Sequence, residues 1–272
     1  MTRLDGRPLD GRPLDGRPLD GRPLDGRVAF VTGASRGIGR NIAVALAEAG
    51  AAVAVAARSE VEGKLPGTIH SVAALITERG GTASPVVCDV TSEESVEAAV
   101  AATVRELGGI DVLVANAGVM WLRPTLETPL KRWELCLRVN LTGVFLVTKA
   151  VLPHVMTKAA GSLIAITTSG VDMTDLGSNA YWVSKAGVER YYAGLATELK
   201  DHNIAVNCLA PTKVVLTEGW ASGGAGMEVP PEMVEEPEAM GRAAVHLAAQ
   251  DASGITGTVQ SSLELLAACG RR

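Results

Sequence analysis

Short apolar runs recur along this sequence, and most are followed by a longer stretch in which apolar residues recur at helical spacing. Such runs predict buried strands, and recurrence at i, i+3 and i+4 predicts amphipathic helices. Strands are predicted at residues 28–31, 51–57, 85–88, 110–115, 162–167, 204–210 and 259–266. Helices are predicted at residues 40–49, 69–76, 91–107, 129–156 (interrupted near Pro153), 181–199 and 239–249. The alternation predicts an α/β fold with a parallel sheet covered by helices on both faces.

The beginning of the chain lacks this pattern because it consists of a five-residue repeat, Leu-Asp-Gly-Arg-Pro, whose last copy starts at Leu24. Pro and Gly in the repeat disfavour both helix and strand, and its Asp and Arg charges cancel locally. We therefore predict a disordered tail at residues 1–23 and one domain at residues 24–272. The alternative is a partner-binding polyproline arm, but the repeat offers no aromatic anchor.

Composition narrows the class of protein. Hydrophobic residues make up 47% of the 272 residues and charged residues 20%, as in globular proteins. The net charge of −5 supplies no overall basic field, so no nucleic-acid partner is expected. The four cysteines show neither a disulfide framework nor a zinc spacing, which favours a reducing cytoplasm and no metal. No uninterrupted apolar run is long enough to cross a bilayer and no apolar signal core is seen, so neither a membrane span nor secretion is expected.

Three glycines, Gly33, Gly37 and Gly39, follow the first predicted strand with the spacing G-x-x-x-G-x-G. The residues after them have helical spacing up to Gly50. Glycines permit a tight turn and let a pyrophosphate approach the backbone, while the helix N-terminus presents free N–H groups and the positive end of its dipole. Strand, glycine turn and helix together predict a nucleotide cofactor, and a purely structural turn is the alternative.

The residue at the end of the second predicted strand bears on which cofactor binds. In dinucleotide-binding folds a carboxylate there binds the adenosine ribose, whereas a basic residue suits a 2′-phosphate. Here Arg58 follows the strand and Arg36 lies inside the glycine turn, so two guanidinium groups are predicted to converge on one phosphate. This pattern favours NADP over NAD. The alternative is that Arg58 is a solvated loop residue.

The strongest candidate for proton chemistry is the pair Tyr181 and Lys185, one turn apart on the same face of a predicted helix. An ammonium near a phenol favours the phenolate and lowers the pKa of the tyrosine. Such a tyrosine can exchange a proton with a substrate oxygen near neutral pH. An ordinary helix with an amphipathic Tyr and a surface Lys is the alternative.

Other polar residues lie where they can join this chemistry. Thr168 and Ser169 follow the fifth predicted strand and can hold a substrate oxygen, although hydroxyls at strand ends are more often turn formers. Asn140 lies within a long predicted helix, where it either bends the helix and holds water or faces solvent. Asp89 and Asn116 close the third and fourth predicted strands. Because ligands bind at the carboxyl ends of parallel strands, we expect these residues and the glycine turn to form one site.

From residue 24 to 266 the sequence resembles the short-chain dehydrogenase/reductase superfamily in its compact single-domain form. Five motifs carry the resemblance, at residues 32–39, 88–90, 116–118, 139–143 and 181–185. Residues 64–68 and 211–217 are similar to a subgroup termed hydroxysteroid dehydrogenase-like. The resemblance implies a Rossmann-like, doubly wound parallel sheet in a three-layer αβα domain. It also implies hydride transfer between a nicotinamide cofactor and an alcohol or carbonyl substrate.

The resemblance implies roles for individual residues. Tyr181 is the catalytic acid/base, Lys185 binds the nicotinamide ribose and tunes Tyr181, and Asn140 keeps a water in a proton relay. Thr168 or Ser169 orients the substrate. Cofactor contacts are implied for Gly33, Ser35, Arg36, Gly37, Ile38, Gly39, Arg58, Asp89, Val90, Asn116, Ala117, Gly118, Tyr181, Lys185, Pro211 and Val214.

Two departures from the family pattern affect the expected site. The family's orienting Ser usually lies thirteen residues before the Tyr, where this sequence has Thr168. Ser169 takes that role if the intervening loop is one residue shorter, and its residue type favours it slightly. The family's Pro-Gly after the sixth strand is Pro211-Thr212 here, followed by the charged Lys213. The runner-up hypothesis is therefore a dinucleotide-binding protein with little catalysis. An epimerase or dehydratase is disfavoured because only a short region follows the sixth strand.

The expected partner is a small-molecule substrate held by the irregular segment 212–238, with Trp220, Met227 and Trp121 as candidate apolar lining. The resemblance also implies a homo-oligomer, a tetramer or a dimer. The helices that carry Asn140 and Tyr181 would form its interface.

Overall fold

A parallel sheet lies at the centre of the computed structural model, which describes residues 21–158, 160–172, 177–223 and 228–270. Its strands are β1 (Val28–Thr32), β2 (Ala52–Ala57), β3 (Thr82–Val87), β4 (Val112–Ala115), β5 (Gly161–Ile166), β6 (Ile204–Ala210) and β7 (Thr258–Ser261). The order across the sheet is β3-β2-β1-β4-β5-β6-β7, and all neighbours are parallel. The apolar runs β1, β4, β5 and β6 are buried along their whole length, as expected when helices cover both faces.

Helices cover the sheet in two layers, which confirms the predicted three-layer αβα arrangement. They are α1 (Gly37–Glu48), α2 (Ile69–Glu78), α3 (Glu93–Leu107), α4 (Leu130–Leu137), α5 (Gly143–Val155), α6 (Asn179–Glu198), α7 (Glu218–Gly223), α8 (Pro237–Ala248) and α9 (Ser262–Cys269). One core contains Ile42 of α1 and Met240 of α8, and the other contains Val147 of α5 and Tyr192 of α6. The two cores lie on opposite faces of the sheet because side chains alternate along each strand.

The strand order places the predicted site residues at one edge. The chain passes from β1 to β2 and β3 on one side, then returns to β4 on the other side of β1. Such a reversal leaves a crevice at the carboxyl ends of the two central strands, which is where ligands bind in open α/β sheets.

The helix predicted over residues 129–156 divides at a different place from the one expected. A π-helical turn at Arg138–Thr142 separates α4 from α5, whereas Pro153 lies inside α5. Pro153 cannot donate to the carbonyl of the preceding turn, and α5 ends two residues after it, at Val155. The π turn contains the fully buried Asn140, and π turns of this kind often mark functional sites.

The continuous helical segment Leu130–Val155 is long and apolar enough, by length and composition, to cross a membrane, with 44% of its most apolar window buried in the structure. Charged residues such as Lys131 and Arg138 interrupt it, so it is not an uninterrupted apolar run. Val147, Val151 and Val155 belong to the core against the sheet, which accounts for the apolar character of the segment. A core helix of a globular domain passes the same test.

Two other predicted boundaries were wrong. Helix α1 begins at Gly37 rather than at residue 40, because the second and third glycines of the turn already have helical hydrogen bonding. The strand predicted over 259–266 ends at Ser261, and Ser262 begins α9. Only β6 pairs with β7 in the described sheet, so little backbone pairing favours a longer strand.

The last copy of the repeat packs on the fold. Leu24 is fully buried and its N–H donates to the Ala49 carbonyl at 2.9 Å. The Arg27 guanidinium donates to the Ala248 carbonyl at 3.0 Å. These contacts hold the residues before β1 against the domain. Residues 1–20 of the predicted tail lie outside the described residues.

Candidate active site

The glycine turn connects β1 to α1 and packs against the end of β4. Gly33 has φ of +65° and Gly37 has φ of +57°, a conformation that favours glycine. A Cβ on Gly33 would lie 2.8 Å from the Ala117 Cα, and a Cβ on Gly39 would collide with the Asn116 side chain and the Gly33 carbonyl. The first and third glycines are thus required by close packing, and the second by its backbone conformation.

Hydrogen bonds fix this turn to the segment after β4. The Asn116 and Ala117 N–H groups donate to Thr32 Oγ1 at 3.0 and 3.1 Å. Asn116 Nδ2 donates to the Thr32 carbonyl at 2.9 Å and to the Gly33 carbonyl at 3.2 Å. Asn116 therefore holds the turn against the end of β4. The Thr32 hydroxyl has an equal share in this arrangement, which we did not predict because a Thr at a strand end gives no distinctive sequence signal.

Helix α1 begins without a side-chain cap, unlike its two neighbours in sequence. The residue before it, Arg36, makes no capping bond, whereas Thr68 caps α2 and Ser92 caps α3. In the part of the chain that the structure describes, no side chain accepts from the first N–H groups of α1, including that of Ile38. Uncapped N–H groups and the positive end of a helix dipole favour a bound anion. Ser35, 3% exposed, immediately precedes Arg36.

Arg36 binds the loop between β2 and α2. Its guanidinium donates to the carbonyls of Leu65 (3.3 Å), Pro66 (2.9 Å) and Gly67 (2.8 Å). It also donates to Ser59 Oγ at 3.2 Å. The prediction placed Arg36 and Arg58 on one phosphate. In the structure, the hydrogen bonds of Arg36 fix the loop that follows Arg58.

Arg58 and Asp89 lie at the ends of the neighbouring strands β2 and β3. The Arg58 side chain is 67% exposed, and its Nη1 lies 4.0 Å from Asp89 Oδ2. Partial burial raises the pKa of Asp89, but hydrogen bonds from Thr91 and the charges of Arg58 and Arg138 outweigh this effect, so the pKa is lowered. Asp89 is thus an anion at this edge, and Arg58 has a largely solvated guanidinium.

Thr91 and Glu94 have the spacing of a capping box, but Thr91 does not cap α3. Thr91 donates its N–H and its hydroxyl to Asp89 Oδ1, at 2.9 and 2.8 Å. Ser92 caps α3 instead, accepting from the Ser95 N–H at 3.2 Å. Local competition from the Asp89 carboxylate moves the helix start by one residue.

Asn140 connects the segment after β4 to α6. Its Oδ1 accepts from the Val119 N–H at 2.8 Å, and its Nδ2 donates to the Val119 carbonyl and to Ser184 Oγ, both at 2.9 Å. The Ser184 hydroxyl donates to the Tyr181 carbonyl at 2.6 Å. A Cβ on Gly118 would lie 3.4 Å from Asn140 Oδ1 and 3.7 Å from Lys185 Nζ. The π turn thus brings Asn140 close to the predicted Tyr–Lys pair.

Lys185 is buried and is anchored at the end of β5. Its Nζ donates to the Ile166 carbonyl at 2.7 Å and lies 5.8 Å from the centroid of the Tyr181 ring. Burial lowers the pKa of Lys185 to about 8, against the opposing charges of Cys208 and Glu189. Burial and the charge of Cys136 raise the pKa of Tyr181 to about 12. Burial therefore dominates at Tyr181, and its pKa is raised rather than lowered as we expected.

Two hydroxyl residues at the end of β5 differ in their surroundings. Thr168 is half-buried, and its Oγ1 accepts from the Gly170 N–H at 3.2 Å. Ser169 is exposed and begins a short 3-10 turn. A third hydroxyl, that of Thr167, donates to Glu189 at 2.6 Å. Glu189 follows Lys185 by one turn of α6, a position that we did not single out from the sequence.

The segment after β6 crosses the crevice towards the glycine turn. Pro211, Lys213 and Val214 are each half-buried. Further along, Thr217 lies close to the turn, because a Cβ on Gly37 would be 3.3 Å from the Thr217 Cβ. Val90 belongs to the core that contains Val147 and Tyr192. It packs against Gly143, where a Cβ would lie 2.9 Å from Val90 Cγ2.

The candidate substrate-lining residues are only partly described. Met227 lies outside the described residues. Trp220 lies in α7, and its N–H donates to Thr217 Oγ1 at 3.1 Å. Arg132 stacks 4.7 Å above the Trp121 ring, and no described residue accepts from the buried Trp121 Nε1. Within the described ranges, no cluster of three or more potential metal ligands is found.

This fold and site define a dinucleotide-binding α/β domain with a Tyr–Lys pair beside the cofactor crevice. A family model described as short chain dehydrogenase matches residues 27–226. The chain belongs to the short-chain dehydrogenase/reductase family. This is a class of NAD(P)-dependent oxidoreductases that act on CH–OH and C=O groups, and it agrees with the resemblance found in the motifs.

Curated relatives support the predicted subgroup. The chain is 38% identical to hydroxysteroid dehydrogenase-like protein 2 of Bos taurus over 204 residues, which are 73% of this chain and 48% of that protein. It is 39% identical to the Danio rerio protein of the same name over 192 residues, 69% of this chain and 46% of that protein. The chain therefore matches about half the length of these curated relatives.

Solved structures share the fold over most of their length. A protein from Xanthomonas campestris described as a dehydrogenase is 39% identical, with a TM-score of 0.83 and 91% of each chain covered. A protein from Beutenbergia cavernae described as an NAD(P)-dependent gluconate 5-dehydrogenase is 31% identical, with a TM-score of 0.78, covering 89% of this chain and 97% of that one. That structure contains NADP at low occupancy.

Proposed function

We propose that this protein is an oxidoreductase that prefers NADPH and interconverts an alcohol and a carbonyl group. The observation that carries this proposal is the position of Lys185 on α6. It is buried, a Cβ on Gly118 would lie 3.7 Å from its Nζ, and the Nζ is 5.8 Å from the centroid of the Tyr181 ring. The proposed site contains Tyr181, Lys185, Asn140 and the hydroxyl of Thr168 or Ser169. Oxidation of NADPH with a panel of ketones, aldehydes and quinones tests the activity.

The glycine turn fits the pyrophosphate of a dinucleotide. It combines an uncapped helix N-terminus with backbone positions where a Cβ would meet neighbouring atoms. We assign the cofactor cradle to Gly33, Ser35, Gly37, Ile38 and Gly39, with Asn116, Ala117 and Gly118 beside them. Asp89 and Val90 are assigned to the adenine end, and Pro211 and Val214 to the nicotinamide end. When bound, the cofactor supplies the hydride.

The preference for NADPH rests on Arg58. Its guanidinium is largely solvated at the end of β2, and its separation of 4.0 Å from the Asp89 carboxylate is too long for a hydrogen bond, so it is available to an added phosphate. Arg36 contributes indirectly, since it fixes the loop after Arg58 through Pro66 and Gly67. The NADP in the Beutenbergia cavernae structure is consistent with this assignment.

Replacing Arg58 by Asp is expected to raise the Kd for NADPH by roughly tenfold or more, because a charge-assisted hydrogen bond to the 2′-phosphate is lost. The Kd for NADH should change much less. Fluorescence titration with both nucleotides measures the two values. Arg105→Asp is a matched control, because its side chain is 68% exposed against 67% for Arg58. Equal loss of NADPH and NADH affinity would contradict the phosphate assignment.

Tyr181 is proposed to give and take the proton at the substrate oxygen through its hydroxyl. Lys185 holds positive charge near the phenol and is fixed by the Ile166 carbonyl. Asn140 positions Val119 and, through Ser184, the first turn of the α6 segment that carries Tyr181. General acid–base catalysis of this kind needs both a positioned group and a suitable protonation state.

The pH dependence of turnover reports on Lys185. Burial lowers its pKa to about 8, and the charge of Glu189 acts in the opposite direction. Turnover that requires the ammonium should therefore fall as the pH rises through about 8. In Glu189→Gln a negative charge is removed, so this fall should move to lower pH. A profile of kcat against pH measures the shift, with the exposed Glu198→Gln as control. An unmoved profile in Glu189→Gln would contradict the electrostatic coupling.

Two further expectations stay part of the proposal. We propose a homo-oligomer through α5 and α6, because Phe145 and Val183 are 45% and 46% exposed on these helices. A cytoplasmic location is proposed because Cys88, Cys136 and Cys208 are buried as thiols.

The second candidate function is dinucleotide binding with little catalysis, which the raised pKa of Tyr181 favours. NADPH binding without Tyr181-dependent turnover would support it.

A further inference from the structure

The segment after β6 departs from the family pattern, because Thr212 stands in place of a glycine. Its backbone does not adopt the positive φ that would require glycine. Among the described residues other than glycine, only Asn203 has a positive φ, so Thr212 adopts an ordinary backbone conformation. Its side chain takes part in the local structure instead. Thr212 Oγ1 accepts from the Leu263 N–H at 2.9 Å and lies 3.2 Å from Ser262 Oγ.

A buried carboxylate lies beneath this segment. Glu235 is only 4% exposed, and its Oε2 accepts from the Lys213 N–H at 2.9 Å. Its Oε1 accepts from the Ser262 hydroxyl at 2.6 Å. No basic side chain in the described ranges forms an ion pair with Glu235 by distance. The carboxylate is therefore stabilised by hydrogen-bond donors. One is the Lys213 N–H, in the segment after β6, and the other is the Ser262 hydroxyl, at the start of α9.

Ser262 connects the carboxylate to the preceding residue of the segment. It is fully buried at the start of α9, and its Oγ accepts from the Thr212 N–H at 3.1 Å while donating to Glu235. The consecutive N–H groups of Thr212 and Lys213 are thus bound by Ser262 and Glu235 respectively. This arrangement leaves their backbone little freedom to rotate.

A short bridge completes the anchorage. The Val214 N–H donates to the Met233 carbonyl at 2.8 Å, and the Glu235 N–H donates to the Val214 carbonyl at 3.0 Å. These bonds join Val214 to residues 233–235, so the backbone is also held at the far end of the Thr212–Val214 segment.

We propose that Glu235 is a positioning residue that, with Ser262, fixes the backbone from Thr212 to Val214 for the nicotinamide end of the cofactor. This inference rests on the proposed function, which assigns Pro211 and Val214 to that end. In this segment the hydrogen bonds of the buried carboxylate, rather than a glycine, determine the shape of the turn. Glu235 acts through the backbone and does not touch the reacting atoms.

The test replaces Glu235 by Gln, which keeps the size of the side chain. The Lys213 N–H and the Ser262 hydroxyl donate to different oxygens of the carboxylate, and the amide has an NH2 group in place of one of them, so it cannot accept at both positions. We expect the Kd for NADPH, measured by fluorescence titration, to rise about tenfold, the effect of losing one charge-assisted bond. The KM for NADPH should rise more than kcat falls. Glu236→Gln, an exposed neighbour, is the matched control and should bind NADPH like the unaltered protein.

A double-mutant cycle separates positioning from simple loss of stability. Ser262→Ala and the double variant with Glu235→Gln should each weaken NADPH binding by a similar factor, because the two side chains act as one unit. Additive losses would overturn the proposal, as would normal NADPH binding by Glu235→Gln with only a lower Tm. If Glu235→Gln does not fold, Ser262→Ala decides the matter by its NADPH affinity.

The outcome also distinguishes this inference from the proposed function. If the unaltered protein binds NADPH and turns over in a Tyr181-dependent way while both variants bind normally, only the role of Glu235 is wrong. If the unaltered protein does not bind NADPH, both the role of Glu235 and the proposed function are wrong.

Discussion

Replacing Tyr181 by Phe is expected to lower turnover about 10³-fold, because positioned proton transfer contributes on this scale. The ring is kept, so packing around α6 should change little. NADPH affinity should stay within about twofold, since the variant loses one hydroxyl at the reacting end and leaves the glycine turn unchanged. Steady-state oxidation of NADPH, with a carbonyl substrate found in the panel, measures turnover, and fluorescence titration measures affinity.

The control for this variant is Tyr191→Phe, which removes a hydroxyl from the same helix. The Tyr191 ring contacts Phe145 and Tyr192, with centroid distances of 6.0 and 5.7 Å, and these contacts do not need the hydroxyl. Turnover in Tyr191→Phe should therefore be close to that of the unaltered protein. Comparable turnover in both variants would favour the binding hypothesis or another proton donor.

Lys185→Met is expected to reduce turnover about 10²-fold or more and also to weaken cofactor binding. The substitution removes the ammonium that donates to the Ile166 carbonyl and lies near Tyr181 and Gly118. It fills the same space with an apolar chain of similar length. Turnover and the Kd for NADPH should both change, which distinguishes this variant from Tyr181→Phe.

Lys200→Met serves as the control, because Lys200 is exposed and follows the same helix. The thermal midpoint of Lys185→Met should stay near that of the unaltered protein. Burying an ammonium has an energetic cost, shown by its pKa of about 8, and its removal offsets the lost bond to Ile166. A large fall in Tm with proportional loss of turnover would indicate a structural role instead.

The fold class and most elements of this protein were predictable from the chain alone. The strand predicted over residues 204–210 has the observed bounds, Ile204–Ala210, because a buried apolar run between an Asn turn and a Pro leaves little choice. The glycine turn was predictable because only glycine tolerates both the positive φ of Gly37 and the approach of Ala117 to Gly33. The last strand was misjudged because helix and strand patterns overlap over a few apolar residues.

The candidate site was only partly predictable, because its geometry depends on contacts between distant residues. Spacing identified Tyr181 and Lys185, but the binding of Lys185 by the Ile166 carbonyl requires β5 and α6 to be packed together. Likewise, Asn140 was recognised as unusual in a helix, but only the fold shows that it binds Val119 and Ser184.

The α/β class, the glycine turn and the family could be predicted from the chain alone, since these depend on local pattern and on residues near each other in the chain. Only the folded chain shows that Arg36 fixes a loop while Arg58 stays solvated. The same is true of Glu235, whose carboxylate accepts from the Lys213 N–H. These outcomes follow from long-range hydrogen bonds, whose partners are chosen by the packing of strands and helices rather than by spacing in the chain.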